Sequence, residues 1–206
     1  MTKDEVLLQL KNNLNFRESD IDKLEIFHEE LLKYNNKYNL ISTSTENDVW
    51  GRHILDSAQL VKYIEFKDDL SLSDLGTGAG FPGLVLAIFN RNPRFHVKLY
   101  EKSRVKVKFL RAVCEKLNIT ANIYDGDYKD HNINSNYIVS RAFKKLEEHL
   151  RISREIIKVN HKLIILKGKS AEEEIKKLNN KFKYSYSLEK SITSSESRIV
   201  IIEVNK

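Results

Sequence analysis

Four of the chain's seven glycines fall within eight residues, in the run Asp74-Leu75-Gly76-Thr77-Gly78-Ala79-Gly80-Phe81-Pro82-Gly83. Glycine reaches backbone conformations closed to other residues and lets peptide N–H groups approach a ligand closely. An ordinary strand-to-helix turn needs one or two glycines. Four together, in a chain otherwise poor in glycine, point to a nucleotide-type pocket at the carboxyl end of a central strand. The N-terminus of the following helix adds partial positive charge there.

The rest of the chain has the grammar that such a turn requires. Strands are expected at Leu72 to Leu75, His96 to Glu101, Ala121 to Tyr124, Tyr137 to Ser140, Leu163 to Leu166, Tyr184 to Leu188 and Ile199 to Val204. Helices are expected between most of them, at Pro82 to Asn90, Ser103 to Asn118, Leu146 to Lys158 and Ser170 to Asn180. Alternation of this kind implies an α/β fold with a mostly parallel sheet of seven strands and helices on both faces. The last two strands lack an intervening helix and should pair antiparallel at one edge.

Ahead of the sheet, residues 1–64 read as a helical segment packed on the core, and residues 65–206 as the main domain. Ser19 and Asp22 form a capping-box variant, after which Ile21, Leu24, Phe27, Leu31 and Leu32 recur at helical spacing. The pattern breaks in the Asn-rich stretch Asn35 to Asn39. A second helix is expected from about Asp48 to Tyr63.

Charge narrows the partners. Residues 1–103 carry 13 basic and 16 acidic side chains, whereas residues 104–206 carry 22 and 13. The basic half suits an anionic partner such as nucleic acid, although Lys-rich surfaces also arise for solubility alone. One Cys excludes an internal disulfide framework, and the six His show no metal-ligand spacing, so no metal is expected. No apolar run approaches the roughly 20 residues of a membrane span. The opening Met1-Thr2-Lys3-Asp4-Glu5 has acids where a signal peptide has bases. A soluble cytoplasmic protein is expected, acting as a monomer.

The glycine run reads in two ways. Gly78, Gly80 and Gly83 match the dinucleotide string G-x-G-x-x-G. Asp74 followed by Gly76, Gly78 and Gly80 is the better alignment, because an anion beside the turn disfavours a pyrophosphate and suits a cationic ligand. S-adenosylmethionine carries a sulfonium and an ammonium. Glu101, at the end of the next strand, is placed to accept from ribose hydroxyls. Gly126-Asp127 follows the third strand, where the carboxylate can accept from an adenine amino group or stay solvated.

These residues resemble the ribosomal small subunit methyltransferase G family, also called glucose-inhibited division protein B. Besides the glycine run, the agreeing strings are Asn39-Leu40-Ile41, Arg52-His53-Ile54-Leu55-Asp56-Ser57, Glu101 to Leu110, Ser140-Arg141-Ala142-Phe143 and Leu166-Lys167-Gly168. Two departures stand out. Ala79 replaces a common proline, and Tyr124-Asp125-Gly126-Asp127 replaces a segment that often ends in Ala-Glu. The resemblance implies a Rossmann-like class I methyltransferase fold. It also implies a bacterial enzyme that moves a methyl group from S-adenosylmethionine to N7 of a guanine in 16S ribosomal RNA, free or in the small subunit. Family cofactor contacts would fall on Gly76, Phe81, Gly126, Asp127 and Arg141, beside Asp74, Gly78, Gly80 and Glu101 from the reading above.

The chemistry asks little of side chains. Guanine N7 has a free lone pair at neutral pH, so positioning and water exclusion replace a general base. Cys114, among apolar neighbours, reads as core. Arg141 lies just past the fourth strand, where its planar fork suits a phosphate, a guanine edge or a cofactor carboxylate; an ion pair with Glu147 or Glu148 is the bland alternative. Lys167, beside Gly168, is placed to reach an RNA backbone or to stay solvated. Arg141 and Lys167 are the candidates for action at the reacting base.

On the helix after Ser103, Val105, Phe109, Ala112, Val113 and Leu117 share one side. Arg104, Lys108 and Arg111 share the other, as a stripe that tracks RNA phosphates or simply faces water. Lys106 falls on the apolar side, where it can snorkel toward the site or join the RNA contacts. His53 reads as a core histidine donating to a backbone carbonyl, or as part of a hydrogen-bonded hinge with Arg52 and Asp56. Trp50 reads as an anchor in that joint or as a base-stacking group. Two rival functions stay open: a class I methyltransferase with another substrate, and a non-catalytic RNA-binding assembly factor. A nicotinamide oxidoreductase fits poorly, because Asp74 is ill placed for a pyrophosphate.

Overall fold

The computed structural model describes residues 1–141, 144–178 and 184–206. Its frame is one seven-stranded sheet of β1 (Ser71–Leu75), β2 (His96–Glu101), β3 (Asn122–Asp125), β4 (Tyr137–Arg141), β5 (His161–Lys167), β6 (Tyr184–Lys190) and β7 (Arg198–Val204). The order is β3-β2-β1-β4-β5-β7-β6. Pairs among β1 to β5 are parallel, and β7 runs antiparallel to both neighbours, β5 and β6. The final two strands pair antiparallel at one edge, as expected.

Every residue of β1 is buried, as a central strand covered on both faces requires. Period-two alternation divides the apolar side chains between two cores. Leu72, Val139, Ile164, Ile199 and Ile201 join one core, which also takes in Leu24, Phe27, Leu84 and Phe109 from the helices over that face. Leu75, Ile138, Leu163, Ile165, Val200 and Ile202 join the other, with Leu146 and Leu150. The first core contains α1 (Lys3–Leu8), α2 (Glu18–Tyr38), the helical run 50–63, α5 (Gly83–Phe89) and α6 (Arg104–Leu117). The second contains α7 (Leu146–Ile156) and α8 (Ala171–Lys176).

Helix ends follow local chemistry. The backbone N–H of Arg17 donates to Asp20 Oδ2 at 2.8 Å, so α2 starts at Glu18 instead of behind a Ser19–Asp22 box. Asp20 also pairs with Arg91 at 2.6 Å, and the capping choice brings that interaction with it. Asn39 and Asn118 end α2 and α6 in the left-handed conformation, which asparagine tolerates. The expected helix from Asp48 to Tyr63 is helical throughout but not uniform. A short α3 (Thr43–Glu46) precedes it; then Trp50–Leu55 is wound as a π-helix, α4 (Asp56–Ala58) follows, and Gln59–Tyr63 is tightened. Asp48 Oδ1 accepts the Gly51 N–H at 3.0 Å, a side-chain competitor for the helical bond. At the start of α8 the Ser170 hydroxyl donates to Glu174 at 2.8 Å. The expected end of that helix, Asn180, lies outside the described residues.

On α6 the buried stripe is Val107, Phe109, Leu110, Val113, Cys114 and Leu117. Val105, expected with them, is 38% exposed because, at about 100° per residue, it points away from the Leu110 and Cys114 side of the helix. Cys114 is in the core, and burial pushes its thiol up to about 11. Among the described residues no helix is long and apolar enough to cross a membrane.

Candidate active site

The chain runs outward from β1 through β2 to β3, then returns to β4 on the other side of β1. In such a sheet the crevice opens at the carboxyl ends of the strands on either side of that reversal. Two cavities lie there.

The first, of about 310 Å³, is walled by Gly76, Gly78, Tyr100, Glu101, Gly126, Asp127 and Tyr128, with Lys102, Lys106, Lys129 and Lys144 completing the lining. Gly76 and Gly78 take φ of 76° and 60°, values that only glycine adopts freely. The N–H groups of Gly76 and Thr77 both donate to Tyr100 O at 3.0 Å, which clamps the turn against the end of β2. Glu101 completes the clamp: Oε2 accepts from Gly78 N–H at 2.9 Å and Oε1 from Ser103 N–H at 2.8 Å. Each oxygen keeps a second lone pair for a ligand hydroxyl. Asp127 Oδ1 accepts from Lys129 N–H at 3.0 Å. Tyr100 stacks on Tyr124 at 4.6 Å, and His131 meets both rings edge-on.

The four glycines of the run divide by task. A Cβ on Gly78 would meet nothing nearer than Lys106 Nζ at 4.0 Å, so this glycine leaves space on the pocket side. A Cβ on Gly83 would fall 2.4 Å from Leu99 Cδ2 and 2.7 Å from Asp74 Oδ2, and one on Gly80 would fall 2.9 Å from Leu84 Cβ. Those two are glycine so that α5 can lie close on the sheet. Asp74 serves the same packing: 1% exposed, it accepts the Gly83 N–H at 2.7 Å from beneath the turn and is off the wall of either cavity. Burial pushes its carboxyl up to about 6, against the pull of Thr77, Gly83 and Arg141.

The second cavity, of about 530 Å³, is walled by Thr45, Arg52, His53 and Asp56 from the helical run, by Arg141, Leu166, Lys167, Gly168 and Lys169 from the ends of β4 and β5, and by Thr193, Ser194, Glu196 and Ser197 from the loop before β7. Arg141 donates through Nη1 to Arg52 O at 3.0 Å, and Nη2 lies 2.5 Å from His53 Nδ1. A guanidinium only donates, so Nδ1 accepts and the imidazole proton sits on Nε2. Burial, then Arg141 and Arg52, lower the His53 pKa to about 3. His53 is thus neutral, and it faces a guanidinium where a carbonyl was the simpler expectation.

Phe81 is buried and lies on the wall of neither cavity, but it ties the glycine turn to the groups of the second. Its ring lies 4.9 Å from His53, 5.2 Å from the Arg141 guanidinium carbon and 5.2 Å from Phe27 of α2. Trp50 is buried, with Lys3 over its ring at 4.9 Å and His28 at 5.7 Å, so it anchors α1 and α2 and is closed to base stacking.

The structure therefore gathers Gly76, Gly78, Glu101, Gly126, Asp127 and Lys106 at the first cavity, and Arg141 and Lys167 at the second. Lys106, read on the apolar side of α6 as snorkelling toward the site or joining the RNA contacts, lines the first cavity. Arg104, Lys108 and Arg111 are exposed and line neither cavity. Glu148 pairs with Lys144, not with Arg141. Lys167 does not reach outward: its ammonium donates to Lys144 O at 3.0 Å and pairs with Glu174 at 2.8 Å. Ala142 and Phe143 of the Ser-Arg-Ala-Phe string lie outside the described residues. Tyr128, Lys102, Lys129, Thr193 and Ser194 went unmarked by sequence reasoning. Only Lys129 carried a signal there, as part of the basic half.

The first cavity fits S-adenosylmethionine. It offers two carboxylates for hydroxyl and amino donors, an aromatic wall, and open space over a left-handed glycine.

Residues 20–201 match the family described as rRNA small subunit methyltransferase G. A protein of Rickettsia bellii named Ribosomal RNA small subunit methyltransferase G is 36% identical over 182 residues, 88% of this chain and 92% of that one. One of the same name from Mycoplasma capricolum is 35% identical over 173 residues, 82% of this chain and 74% of that one. Among solved structures, a SAM dependent methyltransferase from Aquifex aeolicus superposes with a TM-score of 0.58 at 14% identity, covering 82% of this chain and 97% of that one. At that identity the likeness speaks for the fold alone.

Proposed function

The chain belongs to the rRNA small subunit methyltransferase G family, and from that premise we propose that it transfers a methyl group from S-adenosylmethionine to N7 of a guanine in 16S ribosomal RNA. One observation carries the reading. A glycine turn clamped by Glu101 lines one cavity, and Phe81 of the same turn packs 5.2 Å from Arg141, which lines a second, cation-rich cavity.

S-adenosylmethionine supplies a methyl on a sulfonium, and the bond electrons return to sulfur as guanine N7 takes the carbon. The protein's own task is placement. Glu101 and Asp127 accept from hydroxyl and amino groups in the first cavity, and Gly76 and Gly126 let the backbone approach. Lys106 gives the first cavity a cation for a carboxylate. Arg141 is held by Arg52 O and His53 and presents a fixed positive edge to the second cavity. Arg104, Lys108 and Arg111 offer α6 to the RNA backbone. Lys167, held by Glu174, fixes the loop that carries Gly168 and Lys169. Asp74 and Gly80 hold the turn from below.

No metal is needed, since N7 is nucleophilic as it stands. Residues 1–64 serve as a helical segment packed on the methyltransferase domain of residues 65–206. The enzyme works as a cytoplasmic monomer.

The test uses labelled S-adenosylmethionine and small subunits from cells that lack the enzyme. RNA digested to nucleosides should give one labelled peak at 7-methylguanosine. A label on another nucleoside would replace the reading with a different RNA methylation. Cofactor binding without any RNA label would replace it with a methyltransferase of another substrate class.

A further inference from the structure

Asp56 has no part in the placement just described, yet it is a half-buried carboxylate opening on the second cavity. Its Oδ1 is committed: Gln59 Nε2 and the Thr193 hydroxyl both donate to it at 2.9 Å. Gln59 in turn holds the Ser191 hydroxyl and the Ile192 N–H, each at 3.0 Å, so the loop before β7 is fixed around this one oxygen. No hydrogen bond among the described residues uses Oδ2. Burial raises the Asp56 pKa on balance, against Thr193, Arg141, Arg52 and the Ser191 hydroxyl, so the carboxylate is under-solvated where it stands and a pair of ligand donors would stabilise its anion.

The cavity holds two carboxylates, Asp56 and Glu196, and Glu196 is exposed on the loop. Arg141 has its forks turned to Arg52 O and His53, which leaves it poorly placed to read a base edge. Arg52 and Lys169 are exposed at the mouth, where they suit phosphates.

From this geometry, and resting on the function proposed above, we propose that Asp56 determines base specificity by accepting the N1–H and N2–H donors of the target guanine on its Watson–Crick edge. Guanine is the nucleobase that presents two adjacent N–H donors there. Adenine would set the N1 lone pair against the carboxylate. With that edge held, N7 lies on the opposite side of the purine and remains free to react. Both donors converge on Oδ2, the oxygen left open by Gln59 and Thr193, and a paired contact to a base edge distinguishes bases by roughly 5- to 150-fold.

The experiment places defined nucleosides at the target position of small-subunit RNA and follows methyl transfer with the wild type and Asp56→Asn. Asn keeps an acceptor for Thr193 and turns a donor toward the base. For the wild type, inosine, which lacks the N2 amino group, should lower kcat/KM about tenfold, and 1-methylguanosine should abolish transfer. RNA carrying 7-deazaguanosine should inhibit by competing. Asp56→Asn should lower kcat/KM on guanosine about 100-fold at unchanged cofactor affinity and show no further penalty with inosine.

A tenfold inosine penalty that persists in Asp56→Asn overturns the assignment, since a merely structural role leaves that penalty in place. If the variant does not fold, the wild type decides: normal transfer to 1-methylguanosine overturns the proposal, and loss of transfer supports it. Failure of the wild type to make 7-methylguanosine at all would instead overturn the function on which the proposal rests.

Discussion

The two cavities at the head of the sheet are built in opposite ways. The first is made of backbone. Its glycines, its carbonyl clamp at Tyr100 and its anchor Glu101 come from the ends of adjacent strands, all between Gly76 and Gly126. The second is made of side chains from segments as far apart as Asp56 and Thr193, 137 residues in sequence. A pocket made of backbone needs particular conformations, which only particular residues permit. A pocket made of side chains needs particular neighbours, which only the completed fold supplies.

The comparison can be broken first where the backbone is tightest. Gly83→Ala places a methyl within 2.8 Å of Asp74 Cβ and within 2.4 Å of Leu99 Cδ2. Overpacking of that kind costs about 3 kcal/mol, so its urea midpoint should fall steeply. Gly78→Ala meets open space but holds alanine at φ 60°, so it should cost only the left-handed strain of about 1 kcal/mol while losing cofactor affinity. Equal midpoints for the two variants would refute the division of labour among the glycines.

Acid should act next, through the second cavity. The folded His53 pKa lies near 3, below the ordinary 6.5, so its neutral form stabilises the fold above about pH 6.5 and that contribution is lost as pH falls toward 3. By pH 5 the loss should be on the order of 2 kcal/mol. His53→Gln should flatten this part of a stability-against-pH curve. An identical slope in the variant would mean that another group titrates there.

Arg141→Ala should cut methyl transfer at least tenfold, about 1.4 kcal/mol, with the circular dichroism unchanged. Near-normal transfer would remove Arg141 from the site. The smallest effect belongs to Glu101→Ala, which loosens both Gly78 and Ser103 and should weaken cofactor binding several-fold, about 1 kcal/mol. Unchanged affinity by calorimetry would leave Glu101 a purely structural clamp.

The same contrast explains what the sequence disclosed. The span of β2 was legible to the residue, because Val97 and Leu99 alternate with His96 and Lys98 and Glu101 ends the strand. The span of α6 was legible because Ser103 and Asn118 punctuate it. The cofactor turn was legible because glycine has few other reasons to cluster. The start of α2 was missed because Asp20 also serves Arg91, a partner 71 residues away. The π-wound stretch was missed because Asp48 competes for a single amide. Lys167 looked like an outward lysine because nothing near it in sequence reveals Glu174 folding back. Thr193 and Ser194 sit in a serine-rich loop whose meaning depends wholly on the Asp56 and Gln59 side chains it docks against.

That docking sets an order of assembly. The walls of the first cavity have all been synthesised once residue 144 leaves the ribosome, with β1, β2, β3 and β4 then available to pair. The second cavity lacks a wall until the loop at 191–197 emerges and Gln59 takes hold of Ser191 and Ile192. A nascent chain therefore acquires the means to hold its cofactor before it has anywhere to put a base, and its last hairpin is the step that joins the two.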